Sequence, residues 1–369
     1  MKIKKRRYDI DWLRVIAILA VFLHHIGMPF NGDKFHIMNL ESSKVLDDMM
    51  VFFEQFRLPL LFLISGIGTM FAFSKRTSFE FIKERSKRLL IPLFFGILII
   101  IPPQTYFEHK ANFTSYADVY RNFSFDVNHL WFIENLFLMS IFFIPLILVL
   151  KSSKSDSFIK RFERLSSKKI GLFLGVLPLL LINVYLKKHY ASDSKDITNL
   201  SSTFYYSYFF VSGMLFASSS HIWNNLKTHR KFNASVFLIS SALFYSYYFM
   251  PNSIIAPYLS VETRWSLWYA LCALLGWTFV IALLGYGQLW FDKNSNLLQR
   301  CNEAIYPFYI LHQTLIVVVG YYIVQLELGI PIKLLLLLSI TFILTLTIYR
   351  VFIYPFRITR LLFGMKKKD

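Results

Sequence analysis

Cysteine is nearly absent from this chain. The two present among 369 residues, Cys272 and Cys301, lie in or beside apolar runs, which excludes a disulfide framework and a thiolate zinc site. Glycine is sparse as well, at 14 residues. No Gly-rich phosphate loop, Gly-x-Ser-x-Gly elbow, His-x-x-x-His or Cys-x-x-Cys spacing occurs, so no metal site is expected. Charged residues make up 17%, against about 25% in soluble domains. Acidic residues are scarcer than basic ones, 22 against 40. Polar stretches are too short for a separate soluble domain.

What the chain has instead is apolar length: 55% of residues are hydrophobic and 18% aromatic. Ten runs approach the roughly 20 residues that a membrane-crossing helix needs. They fall at about 10–28, 50–73, 89–105, 130–150, 170–186, 204–219, 234–251, 265–286, 303–322 and 332–349. The pattern predicts an all-α polytopic transmembrane bundle of about ten helices. It is expected to form one integral-membrane domain over 1–369, with basic tails at about 1–9 and 351–369. The first apolar run ends in "GMPFN" rather than a small-residue cleavage site, so a cleavable leader is not expected.

The net charge of +18 follows from this topology. With the N-terminus cytoplasmic, 29 Lys and Arg fall on inside segments and 9 on outside ones, and Arg14 and Arg57 within spans complete the 40. That asymmetry is the positive-inside pattern for an even number of spans with both termini cytoplasmic. It accounts for the basic balance without nucleic acid, and suits anionic lipid headgroups or an anionic cytoplasmic substrate.

The first span, "DWLRVIAILAVFLHH", carries charge where charge is expensive. Arg14 and His25 are eleven residues apart, close to three helical turns, so both point to one side about 16.5 Å apart along the axis. Asp11 lies one turn before Arg14 and can pair with it. His24 points about 100° away from His25. The plainer alternative is that Arg14 snorkels to the inner surface and His25 bonds a neighbouring helix.

These residues resemble the first-helix Arg-x10-His signature of the acyltransferase-3 family of bacterial integral-membrane acyltransferases, including its glucan- and polysaccharide-modifying members. Four later segments agree in order. "LPLLFLISGIG", with Ser65-Gly66, resembles the family's second-helix Ser-Gly element. "KERSKRLLIPL", with Arg85 and Arg88, resembles its Arg-x-x-Arg element. "HLWFIENL" from His129 resembles its His-Leu-Trp-Phe element, and "YPFYILHQ", with His312, its late Tyr-x-x-x-Leu-His element. The resemblance runs from about residue 8 to about 350. It implies transfer of a short acyl group, acetyl or succinyl, from cytoplasmic acyl-CoA to a glycan hydroxyl outside the bacterial cytoplasmic membrane. Acyl-CoA is then a co-substrate, and no permanently bound cofactor is expected. Many members add an extracytoplasmic esterase-like domain. Here the chain ends in "FGMKKKD" soon after the tenth run, so acceptor recognition is expected from the membrane core or a partner.

Within that frame His25 is the candidate base, since an imidazole can take a hydroxyl proton near neutral pH. A transient acyl-histidine is the other route. Glu134, one turn inside an apolar helix, is the second catalytic candidate, to orient His25 or hold an acceptor hydroxyl. Arg85 and Arg88, three apart, present two guanidinium forks to the phosphates of CoA, with Arg14 as a third donor-side group. His129, Trp131, Asn135, His312 and Ser65 are acceptor-side or structural. Trp131 is also explained as membrane belt, Ser65-Gly66 as close helix packing, and His312 as a helix-to-helix hydrogen bond. Arg57 could pair a succinyl carboxylate. The rival from another class is a transporter or flippase, where buried Arg, His and Glu serve proton relays. No internal repeat of the kind common in transporters is found.

The topology is open to a direct check. An alkaline phosphatase fused after Asn112 should be active and one fused after Lys169 inactive; the reverse pattern would invert the orientation.

Overall fold

Proline dictates the path of the helices that matter most. The computed structural model describes residues 6–122, 124–190 and 194–366, and among them no strand occurs. The principal helices, apart from Asp156–Ser166 and Ser220–Thr228, are α1 (Tyr8–Gly27), α2 (Lys44–Phe73), α3 (Ser78–Glu108), α4 (Trp131–Phe142), α5 (Ile144–Lys151), α6 (173–189), α7 (Leu200–Ala217), α8 (Arg230–Tyr248), α9 (Val261–Trp290), α10 (Asn296–Ile323) and α11 (Ile330–Ile353). In α1, Asp9 and Asp11 occupy the first turn and His24 and His25 the last, the polarity that a helix dipole favours.

α3 is not a uniform helix. The Ile91 N–H donates to Ser86 O and the Ile101 N–H to Gly96 O, each five residues back. Each wide turn stops just before a proline, Pro92 or Pro102. Proline has no N–H to give, and its ring collides with the carbonyl four residues back. Opening one turn to π geometry relieves both problems. α11 repeats the device: the Tyr354 N–H reaches Tyr349 O at 2.8 Å, and Pro355 follows. In α3 the first wide turn contains Arg88 and starts directly after Arg85, while the second leads into Gln104.

Among the described residues, six helical segments are long and apolar enough to cross a membrane: Tyr8–Phe30, α2, α3, α9, α10 and α11. The pair α4–α5, bent by 50°, makes a seventh when counted as one span. This is an all-α polytopic membrane protein. The other three expected spans, α6, α7 and α8, are helical but shorter or richer in hydroxyl side chains. That explains the difference from about ten.

The described residues form two compact units. One gathers the chain up to Arg14, Gln55–Ser78 and Met139–Asn294. In it, α2 and α7 meet backbone to backbone. A Cβ on Gly66 would stand 1.9 Å from Phe210 O, and one on Gly213 would stand 2.0 Å from Leu63 O. Beside this crossing, Phe62 stacks on Tyr206 with ring centroids 4.7 Å apart. The other unit gathers Val15–Glu54, Phe79–Leu138 and Ser295 onward. Its centre is aromatic, with fully buried Phe22 edge-on to Phe308 at 5.1 Å.

Gly213→Ala should destabilise the protein by about 1–3 kcal/mol, since the neighbour it strikes is backbone. Thermal unfolding in detergent should show a lowered midpoint; an unchanged midpoint would mean that α2 and α7 do not lie this close.

Candidate active site

Everything in the histidine cluster lies within the second unit. α1 delivers His25 from its last turn. The turn before α4 delivers Asn128 and His129, α3 delivers Gln104 just past its second wide turn, and α10 delivers Tyr309, His312, Gln313 and Thr314. Asn128 has φ +43°, a left-handed conformation that Asn tolerates better than most residues. Its Oδ1 accepts from the His129 N–H at 2.6 Å, which fixes the turn that presents the imidazole.

The central contact is between two histidines 287 residues apart. His25 Nδ1 lies 3.0 Å from His312 Nε2, with the rings 5° from parallel and centroids 5.1 Å apart. The proton positions follow from the far side of His312. Its Nδ1 is 2.5 Å from Tyr309 O, and a carbonyl only accepts, so the Nδ1–H donates. A neutral His312 therefore carries a lone pair on Nε2, which accepts the His25 Nδ1–H. A neutral His25 then bears its own lone pair on Nε2. The second imidazole thus selects the tautomer of the first, the role commonly taken by a carboxylate or carbonyl beside a working histidine.

A second chain of bonds holds His129. Its Nε2–H donates to Ile310 O at 3.0 Å, and its Nδ1 accepts from Gln104 Nε2 at 3.2 Å. Tyr309 Oη donates to His129 O at 2.5 Å. Gln104 also donates to Thr314 Oγ1 at 2.8 Å, and that hydroxyl donates to Ile100 O at 2.8 Å. Gln313 Nε2 shares its hydrogens among Asn128 Oδ1 at 2.8 Å, His36 Nε2 at 2.9 Å and Gln104 Oε1 at 3.2 Å. His36 Nδ1 donates in turn to Glu108 Oε2 at 2.5 Å. Each donor along this chain meets an acceptor, with three acceptors sharing the two hydrogens of Gln313 Nε2, and such connection adds rigidity to a polar network. His129 and His312 stand perpendicular, 5.7 Å apart.

The sequence candidates separate accordingly. His25, His129 and His312 come together. Arg85 and Arg88 belong to the same unit, where Tyr306 Oη donates to Arg88 O at 3.0 Å. Tyr306 precedes His312 by six residues on α10, about 9 Å along the axis. Arg88 Nη1 lies 3.7 Å from Glu84 Oε1, and the Arg85 guanidinium lies 5.0 Å from the Phe81 ring centre. Trp131 and Glu134 are half-buried on α4 and Asn135 is buried. Arg14 belongs to the first unit, where it pairs with Asp11 at 2.6 Å, as the spacing implies. Ser65 and Arg57 also lie in that unit. Gln104, Asn128, His36, Glu108 and Tyr309 escaped sequence reasoning. For Gln104 a signal exists: one amide in an apolar helix, directly after Pro102-Pro103.

Residues 7–350 match the family model of an acyltransferase domain, so the match includes every residue of this cluster. The chain belongs to the acyltransferase-3 family. Its similar relatives include glucans biosynthesis protein C of Escherichia coli strain K12, 26% identical over 182 residues that cover 47% of each chain. The same-named protein of Escherichia coli O17:K52:H18 is 25% identical over 236 residues, covering 61% of this chain and 60% of the relative. The acyltransferase-3 chain therefore spans about half to three-fifths of the length of these curated relatives. No solved structure matches it.

Gln104→Leu should cost about 1–3 kcal/mol by leaving acceptors in the network unmatched. A midpoint several degrees lower in detergent is the expected reading, and an unshifted one would remove Gln104 from the support of His129.

Proposed function

We propose that this membrane protein is an acyl-CoA-dependent O-acyltransferase. It moves an acetyl or succinyl group from the cytoplasmic side to a hydroxyl of an extracytoplasmic glycan across the bacterial cytoplasmic membrane. The observation that carries the reading is the His25–His312 pair, which leaves the lone pair of a neutral His25 on Nε2. His25 Nε2 takes the proton of the acceptor hydroxyl as its oxygen attacks the thioester carbonyl carbon. The C–S bond then breaks, the ester forms, and the CoA thiolate leaves with the proton returned from His25. As His25 becomes an imidazolium, the His312 lone pair lies against its Nδ1–H and stabilises the charge where it develops.

The donor side rests on Arg85 and Arg88. Paired guanidinium groups suit the phosphates of CoA, and the tie from Tyr306 to the Arg88 carbonyl links them to the helix that carries His312. A donor whose phosphates sit at these arginines has a pantetheine arm long enough to bring its thioester toward His25. Glu134, Trp131 and Asn135 on α4, beside His129, are assigned to the acceptor. The relatives' name, glucans biosynthesis protein C, favours a glucan as that acceptor.

The test uses purified protein in liposomes, with release of the CoA thiol and labelling of added glucan as readouts. His25→Ala should lower turnover by about 10²–10⁴-fold, the worth of a positioned base. Arg85→Ala with Arg88→Ala should chiefly raise the KM for the donor. Full turnover in His25→Ala would remove it from the mechanism. Solute uptake by proteoliposomes without any CoA dependence would favour a transporter.

A further inference from the structure

The hairpin of α8 and α9, within the first unit, has a feature that the reaction above does not use. Between Lys231 and Lys293 the chain contains a single basic residue, Arg264. The rest of the basic charge flanks the open end of the hairpin, at Lys227, Arg230 and Lys231 on one side and Lys293 and Arg300 on the other. That asymmetry puts the tip, residues 249–264, on the extracytoplasmic side. At the tip lies a cleft of about 550 Å³ lined by Tyr247, Tyr248, Trp265, Trp268, Asn252 and Arg264, a volume within the range of small-ligand sites.

The aromatic walls are mutually braced. Trp268 lies 6.5 Å from Tyr247 and 6.0 Å from Tyr248, within 33° of parallel to each. Trp265 stacks on Tyr269 at 5.8 Å and is 55% exposed. The lone arginine is held in place: Tyr247 Oη donates to Arg264 O at 2.7 Å, and Arg264 Nη1 donates to Asn252 Oδ1 at 3.1 Å. Its Nε is buried and has no hydrogen-bond partner among the described residues. A buried donor left unmatched is costly unless a ligand completes it.

We infer that this cleft is a second glycan site, which captures a stretch of the acceptor oligosaccharide. The inference rests on the acceptor being a glycan. Sugar rings present flat C–H faces that stack on indole and phenol rings, and their vicinal hydroxyls match the spacing of a guanidinium fork. Aromatic side chains at a membrane boundary also form belts. A belt, however, requires neither a concavity nor an arginine braced by Tyr247 and Asn252 with a donor buried behind it. An anionic phospholipid headgroup is the competing occupant, and the test separates the two.

The full chain is reconstituted in nanodiscs of phosphatidylcholine, with and without phosphatidylglycerol, and titrated with a β-linked glucohexaose while tryptophan fluorescence is read. Wild type should bind and shift its emission. Trp265→Ala, chosen because Trp268 packs on Phe244 at 5.0 Å and its loss endangers folding, should weaken binding by about tenfold. Arg264→Gln should weaken it similarly in both lipid mixtures. Acyl transfer to glucose should be unchanged in both variants, while the KM for the hexaose as acceptor rises. Equal hexaose affinity in wild type and variants would overturn the proposal. So would an Arg264→Gln effect confined to phosphatidylglycerol retention, which would make the cleft a headgroup site. Loss of acyl-CoA turnover in wild type would instead defeat the assigned reaction, independently of the cleft.

Discussion

The hydrogen bond between His25 and His312 is the constraint on which the site depends. Two imidazoles can share one bond in either direction, and nothing in their pairing alone selects which. The selection comes from the Tyr309 carbonyl, which accepts a hydrogen bond from the His312 Nδ1–H and so fixes each neutral ring in turn. The working nitrogen of His25 is therefore set by backbone geometry one turn back on α10. Phe22 and Phe308 pack around His312 and keep it from turning, since a buried ring between aromatic neighbours has few rotamers to visit.

Holding that arrangement requires polar side chains inside an apolar unit, and the fold meets the requirement by closing their bonds internally. Gln104, Gln313, Thr314 and Asn128 form one connected set around His129. Prolines make this geometry reachable. By opening a turn of α3 before Pro102, the chain brings the Gln104 side chain round to α10 and the His129 turn. The wide turn before Pro92 does the same for the Arg88 carbonyl, which meets Tyr306. One physical device, proline relieved by a π turn, thus serves both the arginine end and the histidine end of a single helix.

Much of the fold was legible in the sequence because membrane segments announce themselves by length and hydropathy. The helical character of every expected span is a matter of backbone bonds that lipid cannot satisfy. The number of full-length spans was less legible. Segments such as Leu200–Ala217 mix Ser and Tyr with apolar residues, and their length falls near the boundary of what crosses a bilayer. Of the site, His25, His129 and His312 stood out individually as imidazoles in apolar surroundings. Their meeting did not, because contacts across 181 and 287 residues leave no periodicity to read. Glu108 and His36 were invisible for another reason: each sits at a helix end or in a loop, where charge is ordinary.

The proposed reaction requires the proton of His25 to lie on Nδ1, toward His312, when the ring is neutral. Nitrogen-15 NMR of histidine-labelled protein in lipid, with the His25 signals assigned by their loss in His25→Gln, reads that position directly. The expected result is the Nδ1–H tautomer, with a coupling across the bond to His312 Nε2. A neutral His25 protonated on Nε2 would contradict it.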